Sequence, residues 1–372
     1  GAFHLVGQWF PKLGVYEAVG QGGRREPGWN CHQFHPTTEF YSNFGRYRVR
    51  LTVPEDFVVG ATGVRMESKT VAEGMARQKI LTFTADRVHD FAWCAAPADL
   101  MVVIESDFDP GRDVPLPWLG RARSLLGLSS ADLELPPVHI RLVLPKTQVK
   151  LADRMLRGAR LAVAWYGLLY GAYPYPQLTL VSPPPGAEKA AGMEYPTFIT
   201  TGATKLMEYP PVSWLSLNEG VTVHEFGYQY FQGLLASNEF EEAWLDEGLN
   251  TYAETSCMEA IKNDRLVPEI RIPGSWSLKR LSWALRDSPL KVDQVAWAFR
   301  TRRDYGSASY TKTALALKTL EGLLGPDVFS QAMRSYVETW RFRHPSGEDF
   351  RAAISESVGE GLEWIFCIAR EW

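Results

Sequence analysis

The chain has 372 residues, a formal net charge of -4 and a pI near 6.0, so no global basic field recruits nucleic acid or anionic lipid. Apolar residues make up 45% and charged residues 22%, ordinary values for a soluble globular protein of two domains. No stretch reaches the roughly 20 apolar residues that span a bilayer: the longest candidate, residues 161–175, is broken by Gly167, Gly171 and Pro174.

The chain opens at Gly1-Ala2 with neither an initiator Met nor a signal-peptide pattern, and reads as an N-terminally truncated piece of a longer protein. Residues 47–53 (YRVRLTV) alternate apolar and polar side chains, the signature of a half-buried strand. Residues 57–62, 78–85, 89–95 and 101–105 repeat that signal between Gly and Pro punctuation. They predict an antiparallel β-sandwich over residues 1–108, lacking its first strands. A Pro/Gly-rich passage at 109–117 marks the linker. Beyond it the pattern predicts a strand at 138–144, a long helix at 151–170, a strand at 177–181, a Pro-rich turn at 183–185 and an extended segment at 193–200. From Ser216 to the apparent last helix ending at Trp372 the periodicity is mainly helical. A small sheet followed by helices makes residues 109–372 an α+β domain. Cys31, Cys94, Cys257 and Cys367 form no CxxC pair, so buried free thiols are expected rather than a zinc ribbon or disulfides.

The informative run is residues 221–254. His224-Glu225 opens an HExxH-type pattern, in which two imidazoles four residues apart share one helical face and grip one metal ion. The Glu beside the first His reaches the metal-bound water as general base. Here the second His position holds Tyr228, and Glu247 stands nineteen positions farther on, within Trp244-Leu-Asp-Glu-Gly248.

These residues resemble the zinc aminopeptidase family, the gluzincins of the alanyl aminopeptidase and leukotriene-A hydrolase type, whose core reads HEFxHQWF…WLxEG. The resemblance covers nearly the whole chain and implies a thermolysin-like catalytic domain after the sandwich. It implies one zinc ion with His224, Glu247 and the position of Tyr228 as ligands, and Glu225 as base. Ala191-Gly192-Met193-Glu194-Tyr195 is similar to the family's GAMEN strand. That match gives Gly192 and Met193 to the substrate-binding edge and Glu194 to the substrate's free α-amine, with Tyr195 in place of Asn. By the same match Tyr310 is the phenol that steadies the oxyanion, and Thr313 stands where Gly is usual. Implied substrates are peptides with a free N-terminus; compartment is left open.

Zinc catalysis uses three protein ligands and a water, and a phenol with an ordinary pKa of about 10 replaces an imidazole poorly. The expectation is therefore an aminopeptidase-type metallopeptidase impaired by Tyr228. Its alternatives are a catalytically inactive peptide-binding pseudopeptidase and a purely structural piece of a larger assembly. His89 and His139 lie in strand-like runs and read as structural. His32 and His35 form an HxxH in an irregular segment, a lesser metal candidate.

Overall fold

The computed structural model describes residues 3–38, 40–73, 76–202, 217–263, 275–285 and 290–358. Eight strands build the N-terminal part: β1 (His4–Val6), β2 (Val15–Glu17), β3 (Gly28–Asn30), β4 (Gly45–Pro54), β5 (Phe57–Ala61), β6 (Val64–Glu73), β7 (Ala76–Val88) and β8 (Trp93–Pro97). They pair as an antiparallel β4-β7-β6 sheet, an antiparallel β1-β8-β5 sheet and a β2-β3 ribbon. Alternation along β4 sends Leu51 and Val53 inward and leaves Arg46, Arg48 and Arg50 in solvent. Leu81 and Phe83 join the inward pair, meeting Val59, Ala61, Phe91 and Ala95 in one apolar cluster.

A second, mixed sheet has the order β12-β11-β10-β9, from Met101–Phe108 (β9), Val138–Pro145 (β10), Gln177–Val181 (β11) and Phe198–Thr200 (β12). β9 runs antiparallel to β10, while β10, β11 and β12 are mutually parallel. Parallel strands need a crossover, and the helix Ala152–Tyr170 supplies it between β10 and β11. That helix buries Met155, Ala159, Ala162 and Tyr166 at the centre of the main core. Helices at Leu217–Phe231, Trp244–Asn263, Thr313–Leu324 and Pro326–Trp340 complete this half, and their apolar faces share that core. Among the described residues no helix is long and apolar enough to cross a membrane.

Several expectations shift. Residues 101–105 pair with β10 in the second sheet; Val102 and Ile104 pack against the main core, while Met101 and Val103 pack in the cluster that also holds Cys94 and Ala96. Residues 89–92 precede a strand instead of forming one, yet all four are buried. The passage expected as a linker holds a short helix at Pro110–Asp113 and the start of Leu116–Leu126, since Pro fits the first turn of a helix as well as a loop. Cys94 and Cys257 are buried free thiols as expected, whereas Cys31 is exposed, and Cys367 lies outside the described residues. His139 pairs with Asp107 at 2.8 Å. His32 pairs with Glu241 at 2.6 Å, while His35 stacks on Trp297.

Candidate active site

His224, Glu225 and Tyr228 lie on the helix Leu217–Phe231, and Glu247 lies in the first turn of Trp244–Asn263. Glycine sets how closely these helices approach their neighbours. A Cβ on Gly227 would fall 1.8 Å from Asn250 Oδ1 and 2.3 Å from the Tyr166 hydroxyl; one on Gly248 would fall 2.2 Å from Thr313 Cγ2. Thr313, unusual against the family pattern, thus fills the space that Gly248 leaves. Asn250 Nδ2 donates to the His224 carbonyl at 3.0 Å and fixes the register of the two helices.

At the centre a phenol stands where the pattern calls for a second imidazole. The Tyr228 hydroxyl lies 3.0 Å from His224 Nε2 and donates to Glu247 Oε2. Glu247 Oε1 accepts from Tyr305 at 3.0 Å and from Tyr310 at 2.5 Å. Three phenols therefore converge on one buried carboxylate. Tyr310 is carried by a π-helical stretch, Gly306–Lys312, and its ring stacks at 6.0 Å on His224; wider turns of this kind recur at functional sites. On its other edge His224 Nδ1 faces Glu254 Oε2 at 3.5 Å, and Lys279 lies 3.8 Å from the same oxygen.

Electrostatics follow from burial and these partners. Burial, then the charge of Glu247, drives the Tyr228 hydroxyl well above the ordinary tyrosine range. Burial also raises Glu247, more than its three phenol donors and His224 lower it. Burial alone would lower His224, but the contact with Glu254 outweighs it and lifts the imidazole to about 8. Burial would raise Glu254; His224 and Lys279 instead hold it below the usual carboxylate range.

The substrate-strand residues come to the same place. Gly192, at φ 78°, passes so near the site helix that a Cβ on it would lie 3.7 Å from Glu225 Oε1. Met193 bridges to Thr200, and the carbonyls of Glu194 and Tyr195 accept from Gln229 Nε2 at 3.3 and 3.1 Å. Glu194 is buried, and its carboxylate lies within 4.8 Å of those of Glu239 and Asp246, also buried. Sequence reasoning missed Glu239, Asp246, Tyr305 and Glu254. The acid-rich run 239–247 carried a signal for the first two; nothing local marked Tyr305. Tyr195 turns into an apolar cluster with Phe40 and Phe198 rather than toward the substrate edge.

Zinc is not accommodated by these residues as they stand. Its ligands must be a neutral imidazole, a free carboxylate oxygen and a deprotonated third donor. Here the imidazole is biased toward its charged form, the phenol toward its neutral form, and Glu247 is engaged by three hydroxyls. The grouping of three metal-ligating residues found among the described residues is Glu194, Glu239 and Asp246. An all-carboxylate set suits a hard cation or an ammonium group better than zinc.

A sequence profile described as "Peptidase family M1 domain" matches residues 163–372. Aminopeptidase M1-B of Oryza sativa subsp. japonica is 28% identical over 199 residues, 51% of this chain and 22% of that protein. Endoplasmic reticulum aminopeptidase 2 of Bos taurus is 28% identical over 197 residues, 51% of this chain and 20% of that protein. The match thus spans about a fifth of the length of these curated relatives. Among solved structures, a mutant M1 zinc metallopeptidase from Deinococcus radiodurans bound to Tyr-ser-ala superposes with a TM-score of 0.61 at 20% identity, covering 88% of this chain and 64% of that one. Legionella pneumophila aminopeptidase A in complex with aspartic acid gives 0.66 at 17% identity, covering 88% and 35%. At such identities the likeness is one of fold, an α+β architecture with N-terminal antiparallel sheets and a helical part.

Proposed function

The chain belongs to peptidase family M1, and from that premise we propose that it is an aminopeptidase-type protein that captures the free N-terminus of peptides while Tyr228 holds back metal-dependent hydrolysis. One observation carries the reading: the Tyr228 hydroxyl bridges His224 and Glu247, the two residues that the family pattern makes metal ligands. The convergence of Glu194, Glu239 and Asp246 supports the amine half. The three carboxylates come from separate segments and lie within 4.8 Å of one another, and a charge-assisted hydrogen bond from a substrate ammonium to Glu194 is the contact this reading uses. Peptide substrates are also in keeping with the tripeptide bound to the Deinococcus relative.

The test is calorimetric titration of the chain with a tripeptide bearing a free amine and with its N-acetylated form, each with and without a chelator. Binding of the free-amine peptide alone, unchanged by chelator and without cleavage, is the expected result. Equal binding of both forms would remove the amine assignment.

A second reading is favoured by the position of Glu225 against the Gly192 backbone and by the Tyr310 hydroxyl beside Glu247. In it Glu225 would act as base and Tyr310 as oxyanion donor, and His224, Tyr228 and Glu247 would hold a zinc ion that supplies the activated water. Chelator-sensitive turnover by the unaltered chain would install that reading in place of the first.

A further inference from the structure

Outside these clusters a cleft opens between the β4-β7-β6 sheet and the turn at residues 174–177. One lobe, about 470 Å3, is lined by Arg46, Arg48 and Arg87 with Tyr47, Tyr175 and Pro176. The other, about 370 Å3, shares Gly63, Val64, Pro176 and Gln177 with the first and adds Arg65, His139 and Arg141. Its two lining carboxylates are already engaged: Asp86 with Arg46 at 3.3 Å and Glu105 with Arg141 at 2.7 Å. Arg48 and Arg65 have no carboxylate partner among the described residues. The crowding is felt by neighbours, since Arg65 adds to the burial that lowers Arg141.

The floor of the cleft is built rather than loose. Thr197 Oγ1 accepts from the Gly63 amide at 2.8 Å and from Gln177 Nε2 at 2.6 Å, while its own N–H donates to Gln229 Oε1 at 2.6 Å. Its φ is 57°, a region that a β-branched residue enters when its surroundings over-determine it. A charged edge strand can serve merely to discourage pairing with another chain. That accounts for Arg46, Arg48 and Arg50 on β4 and equally for Arg65 on β6, the sheet's other edge; it does not account for Arg87 on the central strand β7 or Arg141 on β10, which line the same cleft.

We propose that this cleft binds a small organic anion, its phosphate or carboxylate head held by Arg48 with Arg46, its body against Tyr47, Tyr175 and Pro176. Guanidinium forks match the oxygens of such a head, and the lobe's volume is that of a small-molecule site. The proposal stands independently of what happens at Glu247. It is tested by calorimetry on the chain with phenyl phosphate, benzoate and, as the neutral counterpart, phenol. At least one anion binds and phenol does not; the better of the two identifies the head. Arg48→Ala weakens that binding by about tenfold or more, whereas Arg50→Ala, on the same strand but outside the cleft, leaves it within about twofold. Arg48 is exposed, so the fold is not at stake, and circular dichroism verifies this. Failure of both anions to bind at about 10 mM, phenol binding as well as they do, or an affinity unmoved by Arg48→Ala would overturn the proposal.

Discussion

Asp246 and Glu247 are consecutive residues of one helix, yet they belong to opposite kinds of site. Glu247 is enclosed by its own protein: Tyr228, Tyr305 and Tyr310 supply three hydroxyl donors to one carboxylate. Asp246 joins Glu194 and Glu239, their carboxylates buried within 4.8 Å of one another. The first arrangement satisfies an anion with neutral donors and leaves little for a metal to take. The second brings three carboxylates from separate segments to one place. On the proposed reading, the carboxylate cluster holds a substrate amine while the Tyr228 phenol closes the metal position.

The sharpest way to break this contrast is to reopen the closed side. Tyr228→His replaces the bridging hydroxyl with an imidazole. Zinc per chain is expected to approach one, and hydrolysis across an amino-acyl substrate panel to rise by about 100-fold or more, the scale of losing or regaining a metal contact. Elemental analysis and the panel assay check this together; an unchanged zinc content with the fold intact would mean that more than Tyr228 closes the site.

Altering the other side is the next largest step. Glu194→Gln keeps the shape and removes one charge. Preference for the free-amine tripeptide over its acetylated form should fall roughly ten- to a hundredfold, as loss of a charge-assisted hydrogen bond implies. If the preference survives, Glu239 and Asp246 alone hold the amine.

Tyr228→Phe asks how much the closed cluster contributes without opening it to metal. Glu247 loses one donor and keeps two, so a stability loss of about 1–2 kcal/mol is expected in denaturant unfolding, with no zinc uptake. Stability that rises instead would indicate strain in the three-phenol arrangement.

A last test, read as a pH dependence, probes the support beneath the amine side. His89 is fully buried, and burial together with Lys12 and His344 lowers it from 6.5 to about 3. It packs against Phe40, whose backbone N–H donates to Glu239. Because the folded pKa lies below the unfolded one, the unfolded chain binds the extra proton between those values. Stability is therefore complete above pH 6.5 and declines by up to about 1.4 kcal/mol per pH unit as the pH falls toward 3. His89→Leu should flatten this component of the profile in urea unfolding across that range.

Much of the molecule was legible from local pattern. The helix Ala152–Tyr170 and the strands at Gly45–Pro54, Val138–Pro145 and Gln177–Val181 follow their hydrophobic periods to within a few residues. β6 went unread because it faces solvent along most of its length, so its side chains carry little alternation. The helix Leu116–Leu126 was hidden by the prolines at its start.

The sequence by itself determined the family, the placement of His224 and Tyr228 on one helical face, and the spacing to Glu247. Those features are set by a fixed helical period and by counting along the chain. Only the tertiary structure decided that Tyr305 would be a third donor to Glu247 and that Glu239 would turn toward Glu194. It alone gathered arginines from separate segments around one cleft. Such contacts join residues far apart in sequence, and their partners are chosen by how sheets and helices pack, a choice that no local period records.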